Sequence, residues 1–285
     1  MSTERRLPHW LKRRIGSGET FKLTAQTVSE LALETICTNA NCPNQGECWE
    51  RGTATVLILG NVCTRNCRFC SVATGRPLPP DPDEPRRVAQ LTRRLDLKYL
   101  VITSVDRDDL PDGGASHFRD VVLECRREIE NLQFELLVPD FRDCQDEAIT
   151  ALHSALPFVF GHNVETVPSL YPRVRQGGNY HISLSLLALA KKAWPHVQTK
   201  SSIMLGLGEQ EHEVKAVLAD LRTASCDRIA IGQYLRPSKD SVEVVEYVTP
   251  ERFAWWGETA RAMGFTWVMS SPFTRSSFHA EAPAT

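Results

Sequence analysis

Short apolar runs, each followed by a longer stretch of helical periodicity, recur along most of this chain. The runs are 54–60 (ATVLILG), 98–104 (KYLVITS), 133–139 (QFELLVP), 157–163 (PFVFGHN), 200–206 (KSSIMLG) and 227–233 (DRIAIGQ). Runs of this length suit strands buried on both faces. Between and after them, apolar residues return at helical spacing over 86–95, 114–131, 145–155, 181–193, 210–224 and 250–263. Strands alternating with helices every ~30 to 45 residues imply parallel βαβ units with right-handed crossovers. Six units are too few to close the usual eight-stranded barrel, so the pattern predicts an α/β fold, a curved partial (β/α)6 barrel of TIM-like type. Ahead of it, 27–36 reads as a short helix with Val28, Leu31, Ala32 and Ile36 on one side, and 37–48 (CTNANCPNQGEC) as a turn-rich loop. The chain therefore divides into an N-terminal extension (1–53), the barrel (54–264) and a C-terminal segment (265–285).

Polar residues cluster directly after the predicted strands: Cys63 to Cys70, then 104–109 (SVDRDD), 139–142 (PDFR), 161–165 (GHNVE), 206–209 (GLGE) and 232–236 (GQYLR). In parallel α/β folds these loops gather at the carboxyl ends of the strands, where active sites lie. Some of these residues serve equally well as structure: Asp140 or Gln210 as a helix cap, Gly206 and Gly208 as turns.

With 285 residues, 42% of them hydrophobic, the chain can form one large domain or two small ones. A net charge of -2 and a pI near 6.5 give no global attraction to nucleic acid or an anionic membrane. The one local excess, Arg5, Arg6, Lys12, Arg13 and Arg14, reads as a solvated tail before a docking patch. No run approaches the ~20 apolar residues of a membrane span. Charges also occupy the N-terminus where a secretory signal needs its apolar stretch, so a cytoplasmic location is expected. Nine cysteines is an odd number, and six of them form two tight triplets, which favours reduced thiols over a disulfide framework.

Cys63, Cys67 and Cys70, spaced C-x3-C-x2-C, bring three thiolates to one small cluster. A cubane of four irons needs four ligands, so one iron stays open for a substrate or cofactor, as a catalytic zinc keeps an open position. Phe69 would wall the cluster, while Arg65 and Asn66 would keep the loop polar. This spacing resembles that of the radical S-adenosylmethionine (SAM) superfamily. Cys37, Cys42 and Cys48, spaced C-x4-C-x5-C, are wider apart than zinc knuckles. Two triplets suit two [4Fe–4S] clusters better than tetrahedral zincs, with a zinc-stabilised interaction module or a cluster carrier as the non-enzyme alternative. Cys125 and Cys226 read as core residues; Cys144 takes no assignment.

Together with the triplets, the C-terminal RSSFHA from Arg275, TSVDRDDLPDGGA from Thr103, HNVETV from His162, IMLGLGE from Ile203 and GQYLRPS from Gly232 resemble the lipoyl synthase family over nearly the whole chain. The resemblance implies insertion of two sulfur atoms, at C6 and C8 of an octanoyl group held on a lysine of a lipoyl carrier domain. These carbons are unactivated, so a cofactor must supply a radical. It implies a SAM-cleaving cluster on Cys63, Cys67 and Cys70, and an auxiliary cluster on Cys37, Cys42, Cys48 and Ser277 that donates sulfur and is dismantled. A serine oxygen is a harder, poorer ligand for such iron than thiolate, which suits Ser277 to leaving. For SAM, the rim residues Asn163, Glu165, Gln233 and Arg236 offer groups for a ribose or carboxylate, with Phe69 beside the cluster. Implied partners are octanoylated carrier domains (2-oxoacid dehydrogenase E2 or glycine cleavage H protein), a flavodoxin- or ferredoxin-type reductant and an iron–sulfur carrier protein. Phe278 stands where the family usually has tyrosine, and Ser202 near a usual glycine. The nearest enzyme alternative is a biotin-synthase-like or methylthiotransferase-like protein, which lacks this combination of triplet and terminal RSS.

Overall fold

The computed structural model describes residues 7–13 and 16–282, which leaves Arg5, Arg6 and Arg14 of the basic start outside. The chain opens with helix α1 (Glu19–Glu30), strand β1 (Glu34–Thr35) and two short helices, α2 (Ile36–Asn39) and α3 (Gln45–Glu50). Strand β2 (Val56–Ile58) leads to the two-residue strands β3 (Val62–Cys63) and β4 (Ala73–Thr74). Then follow α4 (Glu84–Arg94), β5 (Tyr99–Ser104), α5 (Ala115–Glu128), β6 (Gln133–Leu137), α6 (Gln145–Leu152) and β7 (Val159–Gly161). The last part comprises α7 (Tyr171–Val174), α8 (Tyr180–Ala193), β8 (Thr199–Leu205), α9 (Glu211–Thr223), β9 (Arg228–Gln233), α10 (Pro250–Ala262) and β10 (Trp267–Ser270).

One sheet of eight strands runs in the order β1-β2-β5-β6-β7-β8-β9-β10. From β2 to β10 every neighbour is parallel, and only β1 pairs antiparallel. The six expected strands and their helices are present as a partial barrel, with an added strand at each edge. Strand β10 escapes sequence reading because four residues carry no period. It forms against the free edge of β9, burying Trp267 and Val268. The expected helix over 27–36 is displaced to Glu19–Glu30, since Ala32 turns left-handed at φ 46° and the chain then pairs as β1. The expected loop over 37–48 carries α2 and α3; Thr35 caps the first by accepting from the Thr38 amide. Gln210 does cap α9, in a reciprocal box with Glu213. Among the described residues no helix is long and apolar enough to cross a membrane.

The outward face of the sheet places Leu100, Ile102, Leu136, Phe160, Ile203 and Ile231, all fully buried, against the helices. Each such side chain contributes about 1.5 to 3 kcal/mol. Cys125 and Cys226 are fully buried, as expected of core thiols. The inward face is mixed. It carries Val101, Ser202 and Ala230, and also the buried ion pair of Lys200 with Glu135 at 2.9 Å. After β10 the chain crosses the end of β9 so closely that a Cβ on Gly232 would sit 2.0 Å from the Thr274 carbonyl oxygen. Glycine at that position lets the C-terminal segment pass back toward α2 and α3.

Two candidate cluster sites

The loop of Cys63, Cys67 and Cys70 begins at β3 and is closed by β4, with Cys63 aligned to Thr74. Arg65, expected to keep this loop polar, points inward with a side chain only 5% exposed. Its guanidinium donates to both oxygens of Asp108 at 2.8 and 2.6 Å and to Asp140 at 2.7 Å, with Asp106 at 3.3 Å. Three acidic partners draw a cation into the barrel mouth, and the cysteine loop is thereby fastened to the loops after β5 and β6. Burial alone would raise the Asp140 carboxyl, but the Arg65 hydrogen bond and charge bring it down to about 2. Asp106 moves the other way, pushed up by burial in spite of Arg65, and accepts from the Cys63 thiol at 3.8 Å.

Each thiol of this triplet is free and half-buried. Burial, with Asp106 and the other cysteines, raises Cys63 to about 11 and Cys67 to about 12. The thiols are thus close enough to discourage one another's ionisation, and no protein cation compensates them fully. A bound iron cluster would supply that compensation, because a metal deprotonates the thiol it binds. The donor set therefore fits the group.

Beside the loop, Cys67, Phe69, Thr103, Asn163, Glu165 and Arg175 line a cavity of about 130 Å³. Phe69, Asn163 and Glu165 thus share one cavity with Cys67. Glu165 adopts φ 68°, and its carboxylate accepts from Asn163 Nδ2 at 3.0 Å. Burial pushes its carboxyl up, opposed by Arg175 and Asn163. Arg175 donates to the Asn163 carbonyl, the Tyr171 hydroxyl and Ser183. It sits in a polar stretch with no periodic or motif signal, so sequence reading missed it. His162, held between the Val138 carbonyl and Ser183, is kept neutral, its pKa lowered to about 4 by burial and then by Arg175.

Gln233 and Arg236 do not join this cavity. The Gln233 amide is fully buried, donating to the carbonyls of Leu205, Tyr234 and Glu246 and accepting from the Val248 amide. It fastens the segment after β9 over Gly206, which at φ 96° leaves room for that amide. Arg236 donates to the carbonyls of Lys239 and Ser241 and so closes its own loop. Both polar side chains are thus occupied by nearby backbone groups.

The second triplet is assembled from the two ends of the described chain. Cys37, Cys42 and Cys48 line a narrow cavity of about 50 Å³ with Arg275, Ser277 and Phe278 of the C-terminal segment, closed from the barrel side by Tyr99 and Val101. Asn44 Nδ2 holds the Phe273 carbonyl at 2.7 Å. Arg51 bonds His279 at 2.8 Å and Glu281 at 3.0 Å. Arg13 pairs with Glu47 and lies over the Phe273 ring at 4.1 Å, so this part of the basic start grips the C-terminal segment. Burial and neighbouring thiols raise Cys37 to about 11 and Cys48 to about 12. Phe278 is buried and packs edge-on to His279, so the ring has a place without a hydroxyl. Cys144 is buried beside Gly113 and lines a cavity with Arg65 and Asp106.

Residues 57–221 match the Radical SAM superfamily. The chain is 52% identical over 276 residues to a lipoyl synthase of Caldanaerobacter subterraneus subsp. tengcongensis, covering 97% of this chain and 96% of that one. To a lipoyl synthase of Thioalkalivibrio sulfidiphilus it is 48% identical over 279 residues, covering 98% and 87%. In fold it resembles the X-ray structure of the FeFe-hydrogenase maturase HydG from Carboxydothermus hydrogenoformans, with TM-score 0.60 and 17% identity over 74% of this chain and 52% of that one.

Proposed function

The chain belongs to the lipoyl synthase family of the radical SAM superfamily, and on that footing we propose how its residues divide the work. It is a radical SAM sulfurtransferase that uses SAM and an iron–sulfur cluster, and its substrate is a lipoyl carrier protein bearing an octanoyl-lysine. When bound, SAM and the reduced cluster supply the radical that removes hydrogen from unactivated C6 and C8, chemistry that no side chain offers.

Cys63, Cys67 and Cys70 hold the SAM-cleaving cluster, with Phe69 as its apolar wall. Asn163 and Glu165, steadied by Arg175, bind SAM through its hydroxyl and amino groups. Cys37, Cys42, Cys48 and Ser277 hold a second [4Fe–4S] cluster, the sulfur source. The observation carrying this division is the meeting of Ser277 with the three cysteines in one cavity. The segments 1–53 and 265–285 act together as the sulfur-donating part, while 54–264 acts as the radical-generating part. A flavodoxin- or ferredoxin-type reductant, an iron–sulfur carrier that restores the second cluster, an E2 or H-protein carrier and a cytoplasmic location complete the reading.

Anaerobic reconstitution tests it. Two cubanes give about eight irons and eight sulfides per chain, and SAM with an octanoyl-lysine peptide then yields paired sulfur addition and 5'-deoxyadenosine. Ser277→Ala is expected to keep SAM cleavage and lose most sulfur addition. Four irons per chain, or parent-like lipoyl formation by Ser277→Ala, overturns the role given to the second site.

A further inference from the structure

Two cavities meet at Tyr99. Its side chain lines the narrow cavity of the second triplet, and also an apolar cavity of about 680 Å³ at the base of the barrel, beside Phe134, Phe158, Val159 and Trp194. The Tyr99 hydroxyl donates to Glu135 at 3.1 Å. Glu135 in turn holds Lys200 at 2.9 Å, both side chains being wholly buried. Lys200 Nζ lies 4.6 Å from the centre of the Trp267 ring. A buried ion pair gains little over apolar residues of equal volume, yet loses much if one partner goes. Such a pair is better suited to fixing a position than to adding stability, and the group it fixes is the Tyr99 ring.

We propose that Tyr99, held in place by the Glu135–Lys200 pair, is the floor of the acyl-chain channel and sets the chain length this enzyme accepts. This rests on the sulfur-insertion reading above. The acyl chain is tethered at its amide, so its reacting carbons are counted from the mouth inward. C6 and C8 must lie alongside the second triplet, whose cavity Val101 and Tyr99 border. These two residues are neighbours on the inward face of β5, Tyr99 one step closer to the base. C8 ends an octanoyl chain, and any further carbon must pass Tyr99. Apolar room lies beyond it, so the partition, and no shortage of space below, stops a longer chain. One methylene more or less in an apolar pocket changes kcat/KM by ~10- to 200-fold.

The test is competition between octanoyl-lysine and decanoyl-lysine peptides for the reconstituted enzyme, read as sulfur added to each and 5'-deoxyadenosine released. The parent is expected to favour octanoyl by ~10-fold or more, and Tyr99→Ala to shift that ratio toward decanoyl by ~10-fold or more. Tyr99→Phe keeps the ring but loses the Glu135 bond, and is expected to shift the ratio part of the way toward decanoyl; a parent-like ratio in Tyr99→Phe overturns the part given to the Glu135–Lys200 pair. Tyr99→Leu carries the same test as Tyr99→Ala if the latter fails to fold, judged by iron content and thermal unfolding. An unchanged ratio in a folded, iron-replete Tyr99→Ala or Tyr99→Leu overturns the proposal. A parent that adds no sulfur to the octanoyl peptide overturns the functional reading instead.

Discussion

The two cysteine triplets are anchored in opposite ways. Cys63, Cys67 and Cys70 lie within one short loop, fastened from beneath by Arg65 to Asp108 and the wholly buried Asp140. Cys37, Cys42 and Cys48 depend on a segment from the other end of the chain, held by the buried Asn44 bond to the Phe273 carbonyl, by the buried Phe278 and by exposed pairs such as Arg51 with Glu281. Exposed ion pairs are worth ~0 to 1 kcal/mol each, whereas breaking a buried one costs ~3 to 5 kcal/mol. The exposed pairs of the second anchor can therefore be lost at little cost, whereas the buried anchor of the first cannot. That difference matches the proposed roles, a centre reused at every turnover and a centre emptied and rebuilt.

The largest effect should separate the two sites outright. Cys67→Ala is expected to lower 5'-deoxyadenosine formation by ~100-fold or more, since even residues that only support a metal ligand cost 10- to 100-fold. Cys42→Ala should leave SAM cleavage in place while sulfur addition disappears. Parallel loss of both products in both variants would break the comparison.

Removing the anchor comes next. Arg65→Met leaves Asp140 buried without its partner, and chemical denaturation should show a loss of ~3 to 5 kcal/mol. The Asp140 share of stability also has a definite pH dependence. Its folded pKa of about 2 lies below the ~3.9 of an unfolded chain. The contribution is thus fully present above about pH 4 and vanishes as the pH falls toward 2. The difference in unfolding free energy between the parent and Asp140→Asn should shrink over that interval; a difference that stays constant would remove Arg65 as the cause.

Smallest of all should be the effect of loosening the second site. Arg51→Ala is expected to change global stability by no more than ~1 kcal/mol, yet to speed the loss of iron to a chelator from the second cluster alone. Equal release from both clusters would show that the C-terminal segment does not hold one site in particular.

Much of the fold was legible because its signals are local. Each apolar run from 54–60 to 227–233 became a strand of the sheet, and Gln210 capped its helix. The two cysteine spacings and the terminal RSS pointed to cluster chemistry before any geometry. The failures share a cause. Arg65 looked like a polar loop residue, and Gln233 and Arg236 like free rim groups, because sequence does not state whether a buried backbone carbonyl or a carboxylate waits nearby. Arg175 carried no signal, since its partners come from a strand end and two helices.

The six central strands, the helices between them and the triplets themselves were therefore determined by the sequence alone, through periodicity and turn residues that act over a few positions. Only the tertiary structure decided that Ser277 meets Cys37, Cys42 and Cys48, that Arg65 meets Asp140, and that Tyr99 stands between two cavities above the Lys200–Glu135 pair. Those meetings follow from the register of strands across a curved sheet and from the tail that crosses Gly232. Register brings together residues far apart in the chain, and no local period records which they will be.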